Sequence, residues 1–323
     1  MKRIAIAAAV VALGCCSRPQ PSNDIVFVSN EAGHVTLVDG ASGKIEGELA
    51  TGPRPRGMGF SPDGKIFYVA ASNANRIEAW DVASHRRLAS YNSGTDPERF
   101  DVSRDGKTLY IANEDHSAVS FLDLASGKIV REVKVGPEPE GIGVSPDGKL
   151  VVATSEVANL AHFIDTANGK LLDSLPVGSR PRFVLFLNGG KIVWVSSEQR
   201  GTITAFDTAT RRVVQTIDLA QSFDIPEPVQ AIEMRATRDE KRVFVAMGRS
   251  NRVAEIDPAT GAVVRSFPTG KRTWGIGLSP DETRLYAASG LSGTLTTIDI
   301  VDNKVLKTVP LGGRPWGAMA ARK

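Results

Sequence analysis

The sequence repeats a unit of 42 residues, and this period constrains the fold more than any other feature. Aligned on the turn SPDGK and its variants, successive units start 42 residues apart, with one longer interval of 50 residues. An aspartate 29 residues after each start opens a second turn, such as DLASGK. Repeats of this length stack units that bury their apolar faces only against their neighbours. The units begin at Gly52, Gly94, Gly136, Gly178, Pro228, Gly270 and Gly312.

Each unit has the pattern of four short β-strands. In the unit that begins at Gly94, β-branched and aromatic runs predict strands over residues 99–102, 108–113, 118–124 and 129–135. Gly, Asp and Asn separate these runs, as expected for turns. Four strands in about 42 residues are typical of one β-propeller blade. The units lack the apolar periodicity of about 3.6 residues that a helical solenoid requires.

The two ends of the chain predict seven blades in a closed ring. The last unit, residues 312–323, is long enough for one strand, whereas residues 24–51 carry three strands and their own marker, Asp39. Joining the two ends completes one blade, in which the C-terminal strand would be the innermost. Such a joint leaves no open blade edge. We therefore expect an all-β, seven-bladed propeller that forms one domain over residues 24–323.

The N-terminal residues predict export. A short basic start is followed by an apolar stretch over residues 4–13 and then by the sequence LGCC. The apolar stretch is too short to span a membrane and is typical of a signal peptide. A small residue before cysteine resembles a bacterial lipobox, so Cys15 or Cys16 is expected to carry a lipid. The alternative is an ordinary secretory signal that contains two cysteines. We expect a signal peptide over residues 1–16, a tether over 17–23, and a periplasmic, lipid-anchored protein.

Composition excludes several classes of function. The formal net charge is only +3, which argues against a nucleic-acid partner, and we expect membrane contact only through the lipid anchor. The propeller has no cysteine beyond the signal region, so a disulfide, a thiolate metal site and a cysteine nucleophile are excluded there. We find no phosphate-binding loop, nucleophile elbow or dinucleotide fingerprint.

The repeats carry segments that point to a family. LYIANE and FYVAAS, each after DGK, resemble the YVTN β-propeller repeat. The ordered succession DPERFDV, LYIANED, PEPEGIGVSPDGK, TSEVANLAHFID, RPRFVLF, VWVSSE and RPWG resembles a narrower family, the β-propeller protein associated with pyrroloquinoline-quinone-dependent alcohol catabolism. The resemblance implies a periplasmic protein that accompanies quinoprotein alcohol oxidation and an ABC-type transport system. It implies no defined activity.

Residues that break the repeat in an ordered way are the candidate site residues. The fifth unit position lies in the loop that leads into each innermost strand, and it is charged in half of the ring and apolar in the other half. The loops after the second strands, which should open at the same end of the channel, carry glutamates in what we expect to be four successive blades. The fifth-position residues are Arg56, Glu98, Glu140, Arg182, Ile232, Trp274 and Trp316, and the glutamates are Glu31, Glu114, Glu156 and Glu198.

Two interpretations of these residues remain open. In the first, the tryptophans form a flat apolar wall, while Arg56 and Arg182 orient a carboxylate. Six carboxylates near two arginines would then leave negative charge that calcium could relieve. In the second, Arg56–Glu98 and Glu140–Arg182 are ion pairs that hold neighbouring blades together, and the other glutamates are solvated. The insertion within Ala220–Pro228 would be a lid, a docking loop or a tolerated change of length.

Three function classes follow. We favour a non-catalytic periplasmic accessory protein that binds a small organic ligand, or docks onto a quinoprotein dehydrogenase or an ABC-type transporter component. The alternative is a lactonase-like hydrolase, for which His162 with the ring of glutamates would be the only candidate machinery, although a strand histidine with local hydrogen bonds is the simpler interpretation. Binding of pyrroloquinoline quinone itself ranks last, because DPATGAVV lacks the tryptophan docking motif of eight-bladed quinoproteins.

Overall fold

Seven four-stranded antiparallel sheets surround a central channel. The computed structural model describes residues 23–223 and 228–323, and the expected seven-bladed, all-β propeller is confirmed. Within the described residues, no helix is long and apolar enough to cross a membrane. The proposed signal peptide, Cys15 and Cys16 lie outside the described residues, as do residues 224–227 of the insertion.

The strands follow the repeat closely. In the unit from Gly94 they agree with the expected boundaries to within two residues. The first fourteen strands are β1 (Asp24–Asn30), β2 (His34–Asp39), β3 (Ile45–Leu49), β4 (Pro55–Phe60), β5 (Ile66–Ala71), β6 (Arg76–Asp81), β7 (Arg87–Asn92), β8 (Pro97–Val102), β9 (Thr108–Asn113), β10 (Ala118–Asp123), β11 (Lys128–Lys134), β12 (Pro139–Val144), β13 (Leu150–Ser155) and β14 (Leu160–Asp165).

The second half of the chain continues the same order. Short 3₁₀ turns lie at Ser72–Ala74, Glu114–His116, Asn188–Gly190 and Leu219–Ser222. The remaining strands are β15 (Leu171–Pro176), β16 (Pro181–Leu187), β17 (Ile192–Ser197), β18 (Thr202–Asp207), β19 (Val213–Asp218), β20 (Met234–Ala236), β21 (Val243–Ala246), β22 (Arg252–Ile256), β23 (Val263–Pro268), β24 (Thr273–Leu278), β25 (Arg284–Ser289), β26 (Thr294–Asp299), β27 (Lys304–Pro310) and β28 (Pro315–Arg322).

Each blade is a meander of neighbouring strands, except the one that contains both ends of the chain. Blade I pairs β28, β1, β2 and β3 from the channel outward. Blades II to VII are β4–β7, β8–β11, β12–β15, β16–β19, β20–β23 and β24–β27, each with its first strand at the channel.

The turns that mark the repeat have a physical cause. In the SPDGK turn, the Ser61 hydroxyl donates to Asp63 Oδ1 at 2.6 Å and accepts from the amide of Ile66 at 2.9 Å. Gly64 takes a left-handed φ of 71° there, a conformation that favours glycine. The second marker is an Asx turn: Asp123 Oδ1, for example, accepts from the Ser126 amide at 2.7 Å.

The hydrophobic core lies between blades rather than within one. Every neighbouring pair of blades in the described residues encloses its own cluster of buried side chains, including the pair that joins blade VII to blade I. Between blades I and II, the Phe27 and Phe67 rings stack with their centroids 4.5 Å apart. Each blade therefore depends on both of its neighbours.

Blade I closes the ring as expected. Strand β28 pairs with β1 along its length, with Val28 opposite Ala318 and Asp24 opposite Arg322. The amide of Lys323 donates to the Asn23 carbonyl at 2.9 Å, and the Gly317 amide donates to Ser29 Oγ at 3.0 Å. The two ends of the described chain therefore lie side by side.

Deleting RPWGAMA, residues 314–320, should open the ring. Strand β1 would lose its partner and the cores on both sides of blade I would be exposed, so cooperative thermal unfolding should be lost. A circular permutant that moves residues 311–323 in front of residue 23 keeps every strand pair and is the matched control. Cooperative unfolding of the deletion variant at an unchanged midpoint would contradict this account of ring closure.

Candidate functional site

Two sets of loops meet at one end of the channel. Entry loops lead into the innermost strand of each blade, and return loops follow its second strand. In blades I to V and VII, the carbonyl at the third unit position accepts from the first amide of the return loop, as between Arg180 and Glu198 at 2.7 Å. The backbone at the third unit position is left-handed in several blades, for example at Arg54 (φ 53°) and Arg180 (φ 56°). This turn and hydrogen bond place both loops beside the channel.

The loops enclose a cavity of about 500 Å³, which we call the rim cavity. Glu98 and Glu198 do not line it and are almost fully buried, whereas Ile232 belongs to the core between blades VI and VII. Ser72 is the corresponding residue of blade II, so Glu31 of blade I and Glu114 of blade III are not in neighbouring blades. The expectation that the four glutamates lie in successive blades is wrong. The candidate residues that line the rim cavity are Glu31, Arg56, Glu114, Glu140, Glu156, Arg182, Trp274 and Trp316.

Arg182 forms the most buried ion-pair centre of the site. Its Nη1 lies 2.7 Å from Glu140 Oε1 and 2.8 Å from Glu156 Oε2, and its Nε lies 2.6 Å from Glu198 Oε2. Burial alone would lower the pKa of Arg182, but Glu140, Glu198 and Glu156 together raise it. Arg182 therefore ties blade IV to blade V and is not free to orient a ligand.

A second ion-pair centre joins blades I, II and III. Arg54 lies 2.6 Å from both Asp96 Oδ1 and Glu98 Oε1, and 3.7 Å from Glu114 Oε2. Arg56 adds longer contacts, 3.3 Å to Glu31 and 3.6 Å to Glu98. The acidic oxygens of Asp96, Glu98 and Glu114 lie within 4.8 Å of one another, close enough to hold a metal ion, but Arg54 already contacts all three. The glutamates are thus paired rather than solvated.

The charge balance differs from the expectation. Four further arginines line the rim cavity: Arg54, Arg180, Arg272 and Arg314. The expectation of surplus negative charge is therefore wrong for the described residues that line the rim cavity. Calcium binding, which was inferred from that surplus, stays a prediction without that support. The arginines occupy the third unit position, which reads Arg54, Asp96, Glu138, Arg180, Gln230, Arg272 and Arg314 around the ring. Comparing that position between units would have found them.

The aromatic wall is covered by guanidinium groups. The Arg272 guanidinium carbon lies 4.4 Å from the Trp274 ring centroid, and that of Arg56 lies 5.2 Å from the Trp316 centroid. Such cation–π contacts position an arginine without neutralising it. The expected flat apolar wall is therefore a layered surface of tryptophan and arginine.

Two arginines at the blade VII and blade I side have only distant acidic partners among residues 23–223 and 228–323. Arg272 Nη2 lies 3.7 Å from Glu198 Oε1, and Arg314 Nη1 lies 3.9 Å from Glu31 Oε2. Burial lowers the pKa of Arg272; Glu198 opposes this, while Arg249, Arg182 and Arg180 add to it. This side of the rim cavity therefore carries uncompensated positive charge.

The opposite side carries carboxyl groups with altered acidity. Burial raises the pKa of Glu156 to about 7, with Glu140 adding to the rise and Arg182 and Arg180 opposing it. Burial also raises the pKa of Glu98 well above its usual range, and Glu140 adds to that rise. Burial would raise the pKa of Glu140 as well, but Arg182, Arg56 and Arg99 outweigh it and lower it. Glu140 is thus the fixed anion of this side.

A layer of side chains, which we call the plug, closes the channel below the rim cavity. The sixth unit position is glycine in four blades and supplies Arg99, Phe183 and Glu233 in the others. Arg99 Nη2 reaches across to Glu233 Oε2 at 3.2 Å, and its guanidinium lies 4.9 Å from the Phe183 ring centroid and 4.4 Å from that of Trp316. A Cβ on Gly275 would lie 2.9 Å from Glu233 Oε2. Glycine therefore makes room for the three long side chains.

His162 lies away from the site. It sits on β14, the third strand from the channel, and is nearly fully buried. Its Nε2 accepts from the Gly136 amide at 3.1 Å and lies 2.8 Å from Ser155 Oγ, while Nδ1 lies 2.8 Å from Ser174 Oγ. The imidazole is thus a neutral element of blade IV, which supports the structural interpretation over the catalytic one.

The comparisons with known proteins agree with the fold. A YNCE-like beta-propeller family model matches residues 23–148, and a model described as outer membrane protein assembly factor BamB matches residues 115–266. Parts of the chain therefore match models of two β-propeller families, and neither match covers half of the chain. Neither model is that of the narrower alcohol-catabolism family, so that resemblance remains a prediction. A search of the curated proteins found no match.

Solved structures resemble this propeller at low sequence identity. The periplasmic gluconolactonase PpgL of Pseudomonas aeruginosa is 22% identical, with a TM-score of 0.77 over 93% of this chain and 99% of that chain. A functionally unknown protein of Desulfotomaculum acetoxidans is 16% identical, with a TM-score of 0.78 over 93% and 99%. Hydrazine synthase of Kuenenia stuttgartiensis is 21% identical, with a TM-score of 0.70 over 81% and 88%. Likeness at this level shows the fold alone.

Replacing Arg182 with methionine should destabilise the propeller strongly. Removing one partner of a buried ion pair typically costs about 3–5 kcal/mol, because the remaining charges stay buried and unpaired. Chemical denaturation of Arg182→Met measures this cost, and Arg314→Met, on an exposed rim arginine, should change the unfolding free energy by no more than about 0.5 kcal/mol. The deficit should narrow at lower pH as the carboxylates protonate. Equal stability of the two variants would contradict the assigned role.

His162 should make stability depend on pH below neutrality. Burial lowers the pKa of His162 from 6.5 to about 4, so between these values the unfolded chain binds a proton that the folded chain does not. Stability should fall by roughly 3 kcal/mol as pH drops from 6.5 to 4. His162→Gln should remove this part of the loss, whereas His116→Gln, at an exposed turn, should leave it. Parallel profiles for wild type and His162→Gln would refute the assignment.

Proposed function

We propose that this chain is an exported, non-catalytic binding protein whose rim cavity takes the carboxylate of a small organic acid. The observation that carries the proposal is the pair Arg272 and Arg314, which flank the tryptophans. Among the residues that the structure describes, their nearest acidic partners lie 3.7 and 3.9 Å away. Arginine at an aromatic surface suits a planar carboxylate, because the guanidinium can donate two parallel hydrogen bonds.

The opposite wall supports a ligand that also carries hydroxyl groups. Glu114 and Glu156 line that side of the rim cavity, and carboxyl groups can accept from, or when protonated donate to, a hydroxyl. A hydroxy acid would therefore place its carboxylate toward blades VII and I and its hydroxyl groups toward blades III and IV. The volume of about 500 Å³ lies within the range of small-molecule sites.

The cellular setting of the proposal rests on resemblance. The succession of segments from DPERFDV to RPWG supports an accessory role beside quinoprotein alcohol oxidation, with a periplasmic dehydrogenase or an ABC-type transporter component as partner. The match to the BamB model and the likeness to a gluconolactonase described as periplasmic support export. A lipid anchor at Cys15 or Cys16 belongs to the same proposal.

One observation favours the second candidate, a hydrolase. A carboxyl group with a pKa near 7 in a cavity, as at Glu156, is suited to general acid–base chemistry. Against it, His162 is hydrogen-bonded within blade IV, and Arg54 already contacts all three acids of the triplet that could hold a metal ion. The described residues thus offer a base without an evident nucleophile-activating partner.

Thermal unfolding with lactate, glycerate and gluconate tests the binding proposal, with ethanol and glycerol as neutral controls. An acid at about 100 times its dissociation constant should add roughly 2.7 kcal/mol, which raises the midpoint by several degrees. The Arg272→Ala, Arg314→Ala double variant should lose the shift, whereas Lys304→Ala, on an outer strand, should keep it.

Two outcomes would count against this function. If no acid shifts the midpoint of a cooperatively unfolding sample, the rim cavity is not a small-acid site and a protein-docking role is favoured. If gluconolactone is hydrolysed by the wild type and not by Glu156→Gln, the protein is an enzyme and the non-catalytic proposal fails.

A further inference from the structure

The opposite mouth of the channel holds a second cavity, which the rim cavity does not reach. The innermost strands run from the rim cavity to this mouth, so the two cavities lie at opposite ends of the same strands. The second cavity, which we call the cup, has a volume of about 440 Å³ and is lined by the ends of the innermost strands of six blades. The plug separates them.

Part of the wall of the cup is formed by apolar side chains. Met58, Phe60, Leu185, Phe186 and Met319 line it and are only partly buried. They come from three different blades, and Phe100 and Phe183 also line the cup. Partly exposed apolar side chains that converge on a concave surface are typical of a ligand site rather than of ordinary surface.

Two arginines at the floor of the cup pair with the same carboxylate. Arg99 and Arg235 both line the cup, and both pair with the same acid, Glu233. Their guanidinium groups lie 4.9 and 5.1 Å from the Phe183 ring centroid. Two arginines that share one carboxylate leave one of the two guanidinium charges without an acidic partner of its own among the described residues.

A buried donor at this floor lacks a partner. Arg99 is more than nine-tenths buried, and its Nε has no hydrogen-bond acceptor within residues 23–223 and 228–323. A buried guanidinium N–H without an acceptor is costly, so the described residues leave the hydrogen-bonding capacity of Arg99 incompletely satisfied.

The two acids that line the cup, Asp101 and Glu240, already accept from backbone amides. Glu240 accepts from the amide of Asn188. Asp101 Oδ1 and Oδ2 accept from the amides of Val102 and Val144, each at 2.8 Å. Burial raises the pKa of Asp101, with these amides and then Arg104 and Arg235 opposing the rise. Asp101 therefore does not neutralise the arginines at the floor by direct contact.

We propose that the cup is a second binding site, specific for a small apolar monocarboxylate. The carboxylate would accept from Arg99 and Arg235 at the floor, and the hydrocarbon part would pack against the methionine and phenylalanine side chains. A neutral ligand of the same shape leaves the donor unpaired, and a second carboxylate on the ligand would be buried against the apolar wall. This site is independent of the function proposed for the rim cavity.

Isothermal titration with phenylpropanoate tests the cup, with phenylpropanol as its neutral counterpart and acetate as the carboxylate without the apolar part. The protein is titrated as wild type and as Arg272→Ala, Arg314→Ala, which removes binding at the rim cavity. Phenylpropanoate should bind the double variant at one site. Phenylpropanol should bind at least about tenfold more weakly, as a lost charge-assisted hydrogen bond requires, and acetate should show no saturable binding.

Variants of the cup locate the site. Leu185→Glu places an anion in the wall and should weaken phenylpropanoate binding at least about tenfold, whereas Leu185→Gln, of similar size and neutral, should retain most of the affinity. Arg235→Leu gives the same loss by removing a donor and serves if Leu185→Glu does not unfold cooperatively. Absence of saturable binding to the double variant, equal affinity for phenylpropanol, or full affinity of Leu185→Glu and Arg235→Leu would each overturn the proposal.

Discussion

The pairing of β28 with β1 is the constraint on which the rest of the structure depends. Each core of this propeller lies between two blades, so a blade with a missing neighbour exposes a whole face. The antiparallel register from Asp24–Arg322 to Val28–Ala318 supplies that neighbour for both blade II and blade VII. The loops at the two mouths are held in place only because the ring closes, and both cavities are consequences of that closure.

Charge, rather than apolar packing, organises the mouth at the entry loops. Arg182 contacts three glutamates from two blades, and Arg54 contacts three acids of the next blade. Buried ion pairs add little net stability, because desolvation offsets most of the attraction. Their effect here is to fix how neighbouring blades sit against each other, since a misplaced blade would leave a buried charge unpaired. Arg272 and Arg314 approach these two centres only at 3.7 Å from Glu198 and 3.9 Å from Glu31, which is the basis of the ligand role proposed for them.

The fold was predictable from the sequence, whereas the balance of positive and negative charge at the rim cavity was not. A turn such as SPDGK and an Asp marker are local signals that recur, so strands, blade count and the composite blade I follow from spacing alone. Arg182 shows the limit: its place in the fifth-position pattern was visible, but its three partners lie on two blades at distances that spacing does not encode. Arg54, Arg180, Arg272 and Arg314 were missed because only the fifth position was compared between units. The plug could have been found in the same way, since Gly57, Arg99, Gly141, Phe183, Glu233, Gly275 and Gly317 share one unit position.

The position of Asn23 places the residue before β1 at one of the two mouths of the channel. Asn23 accepts from the Lys323 amide at the end of β28, and that end of the innermost strand lies at the mouth that holds the cup. Strand β1 then runs toward Glu31 at the rim cavity. Any attachment through the residues before Asn23 would therefore lie on the side of the cup, and the rim cavity would face away from the point of attachment. The two mouths would then meet different surroundings, one turned toward the anchoring surface and the other toward the open compartment.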